Sequence, residues 1–420
     1  MGHDERRTGE AYAIARERYG EFGVDSEEAI GQMDRVVISM NCWQADDVAG
    51  FEGAAELSGG IMATGAYPGR ARNGEELRSD AELAFRLIPG KHRFNLHASY
   101  LEAPGIDRDQ IEIDHYHSWI EWAQRLSIGL DFNPTFFSHP KADDGLTLAH
   151  PDRAIREFWI AHGKASRAVA AGMGERLGSP CVNNVWVPDG MKDQTPGRLE
   201  YRQRLRKSLD AIFEERYDRS ALLDAVEGKL FGIGSEAFVV GSNEFYQAYT
   251  LTHDVMLCLD AGHFHPTERV GDKISTMLTF SNRLLLHVSR PIRWDSDHVV
   301  NLDDETRFIA EEVVRADALD RVHLAVDYFD ASINRIAAWV IGMRATQQAF
   351  LIALLEPTET LRAAERDRDY TTRLALLEAA KALPFGAVWD EYCRRSGVPI
   401  GSDWLADVRE YESTVLSGRK

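Results

Sequence analysis

The sequence predicts an α/β fold: a (β/α)8 TIM barrel with a C-terminal helical extension. Three observations carry that reading. Eight short runs rich in apolar and β-branched residues recur along the chain, and a helical pattern or a long loop follows each one. Alternating strands and helices point to a parallel sheet, and eight such units point to a closed barrel. From the second run onward, each run ends on a polar or ionisable group that does not belong in a core. The turn after the first run, MNCWQADDVAG at 40–50, lacks a GxGxxG pattern. The alternative, an open doubly wound sheet built for a dinucleotide, therefore has no support.

Residues 1–34 form an N-terminal helical segment, with Tyr12, Ala15 and Tyr19 on one face. The barrel spans 35–335, and 336–420 is a helical extension suited to subunit contacts. Strand 1 is the run VVISMNCW, 36–43. A glycine-rich loop, 50–72, follows. Ser79 to Glu82 reads as a capping box that opens a helix, which Pro89 and Gly90 end. Strand 2 is 93–101, and the helix 109–126 after it carries Trp119 and Trp122. Strand 3 is 129–137. Pro151 stands at the first position of a helix that runs to Gly178. Strand 4 is 180–189, followed by a basic helix, 198–216. Strand 5 is 221–229, and Gly241, Ser242 and Asn243 open the next helix. Strand 6 is 255–264 and strand 7 is 283–294. Asp303 caps a helix to Arg315. Strand 8 is 322–332, where Ser332 caps a long apolar helix that Pro357 stops. The polar remainder is helical and anchored by Trp389, Tyr392 and Trp404.

Hydrophobic residues make up 44% of 420, enough for a large core. The net charge is −19, from 48 basic and 67 acidic side chains. An acidic surface repels phosphate, which argues against nucleic acid and anionic membranes as partners. Cys42, Cys181, Cys258 and Cys393 form no CxxC pair and read as reduced thiols of a cytoplasmic protein. The polar start MGHDERRTGE has no apolar h-region of a signal peptide. No uncharged apolar run approaches the roughly 18 residues that a membrane span requires.

In a barrel the strand ends converge on one face, where active sites sit. Here those ends carry His97, Asn133, Asn184, Glu227 with Lys229, Asp260, His287 and Asp327. The stretch 259–297 adds His263, three residues after Asp260, and the pair Asp295 and Asp297. Carboxylates with a few imidazoles suit Mg²⁺ or Mn²⁺, and no cysteine takes part. Glu227, Asp260, His287 and Asp327 can surround one cation. His263, Asp295 and Asp297, sharing Asp260, can hold a second. Taken singly, Asp260 and His263 also fit a helix cap, Asp295 and Asp297 a solvated turn, His97 a core histidine, and Lys229 an ion pair with Glu227. His115, His117, His139 and His150 have no partner at ligand spacing, and His265 is a decoy beside His263. Trp43, Phe136 and Trp186 lie near the same mouth, as apolar walls of a small-ligand pocket would.

Several long motifs resemble L-rhamnose isomerase over nearly the whole chain. They are MNCWQADDV (40–48), NLH (95–97), LDFNP (130–134), IG (233–234), LDAGHFHPTE (259–268), RPIRWDSDH (290–298) and DYFDASINR (327–335). A more distant likeness is to xylose isomerase, a two-metal aldose isomerase on the same kind of barrel. The resemblance implies reversible conversion of L-rhamnose to L-rhamnulose, dependent on Mn²⁺, by a cytoplasmic homotetramer. It makes Glu227, Asp260, His287 and Asp327 ligands of a structural metal, and His263, Asp295 and Asp297 ligands of a catalytic one. It sets Lys229 beside the migrating centre, His97 near the sugar ring oxygen, and Asp327 close to the hydroxyl proton transfer. Direct hydride shift and an enediol route both fit. The family usually has His-Cys-Trp-Gln-Gly-Asp-Asp after the first strand, where this chain has Asn41 and Ala45. That departure bears on sugar preference at the strand 1 wall. Two rival readings are a metal-dependent hydrolase or endonuclease on a similar barrel, and a sugar-binding protein with structural metals.

Overall fold

The computed structural model describes residues 5–52, 64–230, 237–292 and 297–419. Its centre is a closed barrel of β1 (Ile38–Asn41), β2 (His92–His97), β3 (Gly129–Asn133), β4 (Cys181–Trp186), β5 (Leu222–Glu227), β6 (Met256–Asp260), β7 (Leu284–Val288) and β8 (Val322–Val326). Each strand runs parallel to the next, and β8 pairs back onto β1. Every strand is shorter than its apolar run and lies within it, except that β2 starts one residue earlier, at His92. The ladder stops where the chain turns outward, so Trp43, Lys229 and Asp327 lie just beyond their strands, at the barrel mouth.

The helices are α1 (Glu5–Gly20), α2 (Ser26–Gln32), α3 (Gly74–Leu87), α4 (His117–Leu126), α5 (Arg153–Leu177), α6 (Arg198–Ile212), α7 (Asn243–Thr250), α8 (Gly271–Phe280), α9 (Asp304–Arg315) and α10 (Arg335–Leu354). Further helices follow at Thr358–Arg366, Tyr370–Ala380, Phe385–Arg395 and Trp404–Thr414. α1 buries Thr8, Tyr12, Ala15 and Tyr19, the face its periodicity indicates, and packs on Phe385–Arg395. Ser242 and Asp303 precede α7 and α9 as expected.

Three helix starts differ from the sequence reading, because a stronger cap lies nearby. α3 begins after Asn73, whose side chain accepts from the Glu76 amide (2.9 Å). Ser79 is inside the helix and donates back to the Glu75 carbonyl. Asp152 caps α5, which leaves Pro151 outside. Asn334 caps α10 by accepting from the amides of Ile336 and Ala337, while Ser332 bonds Asp330. In each case a carboxylate or carboxamide oxygen satisfies the orphan amides of a first turn. The segment before α4 is two 3-10 turns, Arg108–Gln110 and Ile113–Tyr116, and α6 ends at Ile212.

α10 packs against both α9 and α3, so it completes the ring of barrel helices. It is long and apolar enough to cross a membrane by length and composition, but most of it is buried among these neighbours.

The β8–β1 closure has only two paired positions, Ile38 with Leu324 and Ser39 with Ala325. Side chains extend it. Asn41 Nδ2 donates to the Tyr328 carbonyl, and Trp339 Nε1 donates to the Asn41 carbonyl (2.8 Å). Gln44 exchanges two hydrogen bonds with the Asp330 backbone, both 2.8 Å. Arg335 grips Asp47 with two bonds of 2.8 Å.

Alternation along the strands gives the barrel interior two unlike sides. Val182, Leu223, Ala225, Met256, Cys258, Leu285 and Ala325 form an apolar cluster. Arg93, paired with Asp131 at 2.8 Å, lines a polar cavity with Asn95, Asn133 and Asn184. This cavity, about 280 Å³, runs from Arg35 and Asp320 at the N-terminal end to His287.

Several buried histidines are held neutral. His162 on α5 donates from Nδ1 to the Arg108 carbonyl (2.9 Å), and its Nε2 accepts from the Thr135 amide (3.0 Å). Burial, helped by the Arg108 charge, lowers it to about 3, and burial lowers His92 and His323 to about 4. An unfolded histidine titrates near ~6.5. Below that pH the unfolded chain takes up protons that these folded rings refuse, so stability falls as pH drops from about 6.5 toward 4. Removing one such ring, as in His323→Gln, should therefore make the urea midpoint lose less between pH 6.5 and pH 5 than it loses in the unsubstituted protein. The same pH dependence in both proteins would mean that this ring is charged in the folded protein.

Candidate active site

Seven of the eight strands present a polar side chain at the mouth. Glu227 ends β5 and Asp260 ends β6, while His287 lies in β7 opposite Asp260 in the ladder. Asp327 follows β8. The ligand atoms of Glu227, Asp260, His287 and Asp327 all lie within 4.8 Å of one another, and so do those of Asp260, His263 and Asp297. Asp260 belongs to both groups. Asp295 lies outside the described residues.

The imidazoles turn Nδ1 toward the carboxylates. His287 Nδ1 is 2.9 Å from Asp327, 3.2 Å from Glu227 and 3.5 Å from Asp260. His263 Nδ1 is 2.8 Å from Glu227. Neutral donors orient the carboxylates from behind. Asn184 Nδ2 donates to Glu227 (2.5 Å), Trp43 Nε1 to Asp327 (3.0 Å), and the Gly262 amide to Asp260 (2.6 Å). Asp297 Oδ1 lies so close over Gly262 that a Cβ there would force the carboxylate to move.

Four carboxylates packed together in a buried site repel one another. Burial and the Asp260 charge push Asp297 well above the usual carboxylate range. Burial pushes Asp260 up to about 6. Burial works against charge on both histidines, but the carboxylates prevail: Asp260 and Glu227 raise His263 to about 10, and Glu227, Asp260 and Asp327 raise His287 well above its ordinary value. Burial also opposes the Asp327 carboxylate, yet His287 holds it down to about 2. The site concentrates carboxyl groups whose ionised forms cations would favour. Among the described residues Asp260 Oδ2 and Asp297 Oδ1 are buried and accept no hydrogen bond, as donor atoms able to hold a metal would be. Cys258 is close enough to group with Glu227 and His287, a proximity the sequence does not reveal. Burial and Glu227 keep it a thiol, not a thiolate ligand.

A family model described as L-rhamnose isomerase (RhaA) matches residues 7–419. The L-rhamnose isomerases of Salmonella agona (strain SL483) and Salmonella newport (strain SL254) are each 58% identical over 412 residues, covering 98% of this chain and 98% of the relative. The chain belongs to the L-rhamnose isomerase family. It is an aldose–ketose isomerase. A solved structure of an L-ribulose 3-epimerase overlays 78% of this chain and 96% of its own, with 13% identity and a TM-score of 0.45.

In this chain the cavity above the acidic groups is walled by Trp43, Val48, Phe137, Trp186 and Phe329, with His97 and Lys229 among them. The sequence reading named Phe136 for the wall, and the structure corrects this. The chain leaves β3 at Asn133, and strand alternation no longer applies two residues later. Phe136 packs outward on Trp159 and His162, and Phe137 faces Trp186 and His97. Glu227 contacts His263, His287 and Asn184, while the Lys229 ammonium sits 4.8 Å from the Trp186 ring centroid. Asn41, the departure from the usual family histidine, bonds the Tyr328 backbone at the β8–β1 closure and does not line the cavity.

Thr135, His162 and Arg108 escape a reading of the sequence, since each is a lone polar residue with no spacing signal. Arg108 is buried, pairs with Glu52 (2.9 Å) and donates to the carbonyls of Thr135 and Phe137. It fixes the loop after β3 against the loop after β1.

Proposed function

We propose that this chain interconverts L-rhamnose and L-rhamnulose in this cavity, with two divalent cations, Mn²⁺ foremost. The observation that carries this reading is the pair of buried donor groups sharing Asp260, set in a chain of the L-rhamnose isomerase family. Mixed carboxylate and imidazole donors fit Mn²⁺ or Mg²⁺. Glu227, Asp260, His287 and Asp327 would hold one cation. Asp260, His263 and Asp297, with Asp295, would hold the other. When bound, such cations supply Lewis acidity and stabilise negative charge on the sugar oxygens O1 and O2.

The chain's own residues do the rest. Lys229 donates a charge-assisted hydrogen bond to O1, where charge develops as hydrogen moves between C2 and C1. His97 faces the ring oxygen of the closed sugar. Asp327, oriented by Trp43, stands beside the hydroxyl proton that must pass between O2 and O1. Trp43, Phe137, Trp186 and Phe329 exclude water from the reacting carbons and strengthen every charge interaction inside. The same reading takes the protein as a cytoplasmic homotetramer.

Incubation with L-rhamnose and Mn²⁺ should yield ketose. Chelation and dialysis should abolish that turnover, and Mn²⁺ should restore it. Full activity in verified metal-free protein would overturn the reading, and failure of the metal-loaded protein to make ketose would remove the substrate assignment.

A further inference from the structure

We propose that the Thr135 hydroxyl is a positioning group for His97, fixing its ring as the neutral tautomer with the proton on Nε2, aimed at the sugar. The functional meaning of that proton rests on the isomerase reading above, but the tautomer itself does not.

The argument is a count of donors and acceptors. Thr135 is wholly buried, and among the described residues its Oγ1 has two partners. The Ser99 backbone N–H donates to it (3.2 Å), and His97 Nδ1 lies 3.3 Å away. A hydroxyl carries one proton and two lone pairs. The Ser99 amide can only donate, so it takes one lone pair. If His97 also donated, from Nδ1, the buried hydroxyl proton would have no acceptor, a costly arrangement. If Thr135 donates to Nδ1 instead, every group is satisfied. The imidazole proton then sits on Nε2, on the opposite ring edge, facing the cavity that His97 lines.

The surroundings make this arrangement rigid. The Thr135 amide is bonded to His162 and its carbonyl to Arg108, so the hydroxyl is delivered from a clamped backbone. Trp43 and Phe137 meet the His97 ring edge-on, with centroids 4.7 and 5.6 Å away. Burial lowers His97 to about 4, in keeping with a neutral ring. Proton position on one imidazole nitrogen is set by the bond the other makes. A neutral N–H directed at a sugar ring oxygen is a fixed donor that holds and polarises the closed ring without first needing a proton from solvent.

Nitrogen NMR on protein labelled at the histidine ring nitrogens reads the tautomer directly, with the His97 signals identified by their loss in His97→Asn. The expected result is a proton on Nε2 in the unsubstituted protein and in Thr135→Ser, and a lost or mixed preference in Thr135→Val. Turnover on L-rhamnose should fall about tenfold in Thr135→Val, at the lower end of what outer partners of site histidines cost. Thr135→Ser should recover it, and Thr135→Val should add nothing in the His97→Asn background. A proton on Nδ1 in the unsubstituted protein overturns the proposal whether or not the protein isomerises L-rhamnose. Equal turnover in Thr135→Val overturns the positioning role. A correct tautomer in a protein that makes no ketose would overturn the isomerase reading alone.

Discussion

Asp297→Ala should lower turnover by ~three orders of magnitude, the several kcal/mol that a polarising cation contributes, and leave the melting temperature unchanged or higher. Asp297 lies beyond β7 and contributes nothing to the strand ladder. Its Oδ1 is buried without a hydrogen bond, and burial with the nearby Asp260 disfavours its charge. In the metal-free protein this buried carboxyl is held neutral and its Oδ1 is unsatisfied, so removing it costs the fold little. The metal-loaded protein should lose one bound cation per chain relative to the unsubstituted enzyme, because the donor set proposed for that cation, Asp260, His263 and Asp295 with Asp297, loses a carboxylate that its buried grouping depends on. Calorimetry and metal analysis on the same preparation separate the effects. Near-normal turnover with full metal content would make Asp297 a polar turn residue. The burial of its Oδ1 beside Gly262 and Asp260 already argues against a solvated turn.

Lys229→Met should reduce turnover by roughly two to three orders of magnitude, in the range of losing one oxyanion donor, with metal content intact. Methionine keeps most of the length and apolar bulk of the lysine stem, so its packing on Trp186 survives while the charge is lost. Were Lys229 only a counter-charge to Glu227, the substitution would alter metal affinity first. Glu227 is instead held by His263, His287 and Asn184. The measurement is kcat at saturating Mn²⁺ alongside bound metal per chain. Unchanged kcat at full loading would leave Lys229 a structural residue.

The barrel was legible in the sequence because its physics is periodic. Apolar runs such as 284–288 are buried on both faces, and the polar residue at or near each end marks where apolar packing gives way to the acidic cluster. That Glu227, Asp260, His287 and Asp327 share one end of the barrel follows from the same rule. What was not legible is set by geometry without period. Phe136 and Phe137 exchange roles because the chain turns after Asn133. Asn73 outcompetes Ser79 as a cap by its place before an acidic first turn, whereas Asp152 and Asn334 cap first turns that carry no acidic residue. The Arg108–His162–Thr135 network joins β3 to two segments distant in sequence, and no local pattern announces it.

The β8–β1 seam has a temporal consequence. Trp43 orients Asp327 across 284 positions, Gln44 meets Asp330 across 286, and Trp339 reaches Asn41 across 298. Contacts this remote carry a large loop-closure cost and form late. A nascent chain that has emerged only through β7 already carries Glu227, Asp260, His263 and His287, but neither Asp327 nor the partner that closes the cylinder. Acidic ligands are therefore synthesised well before the enclosure that orders them exists. The acidic cluster and the seam that closes the barrel can be complete only once β8 and α10 have been made.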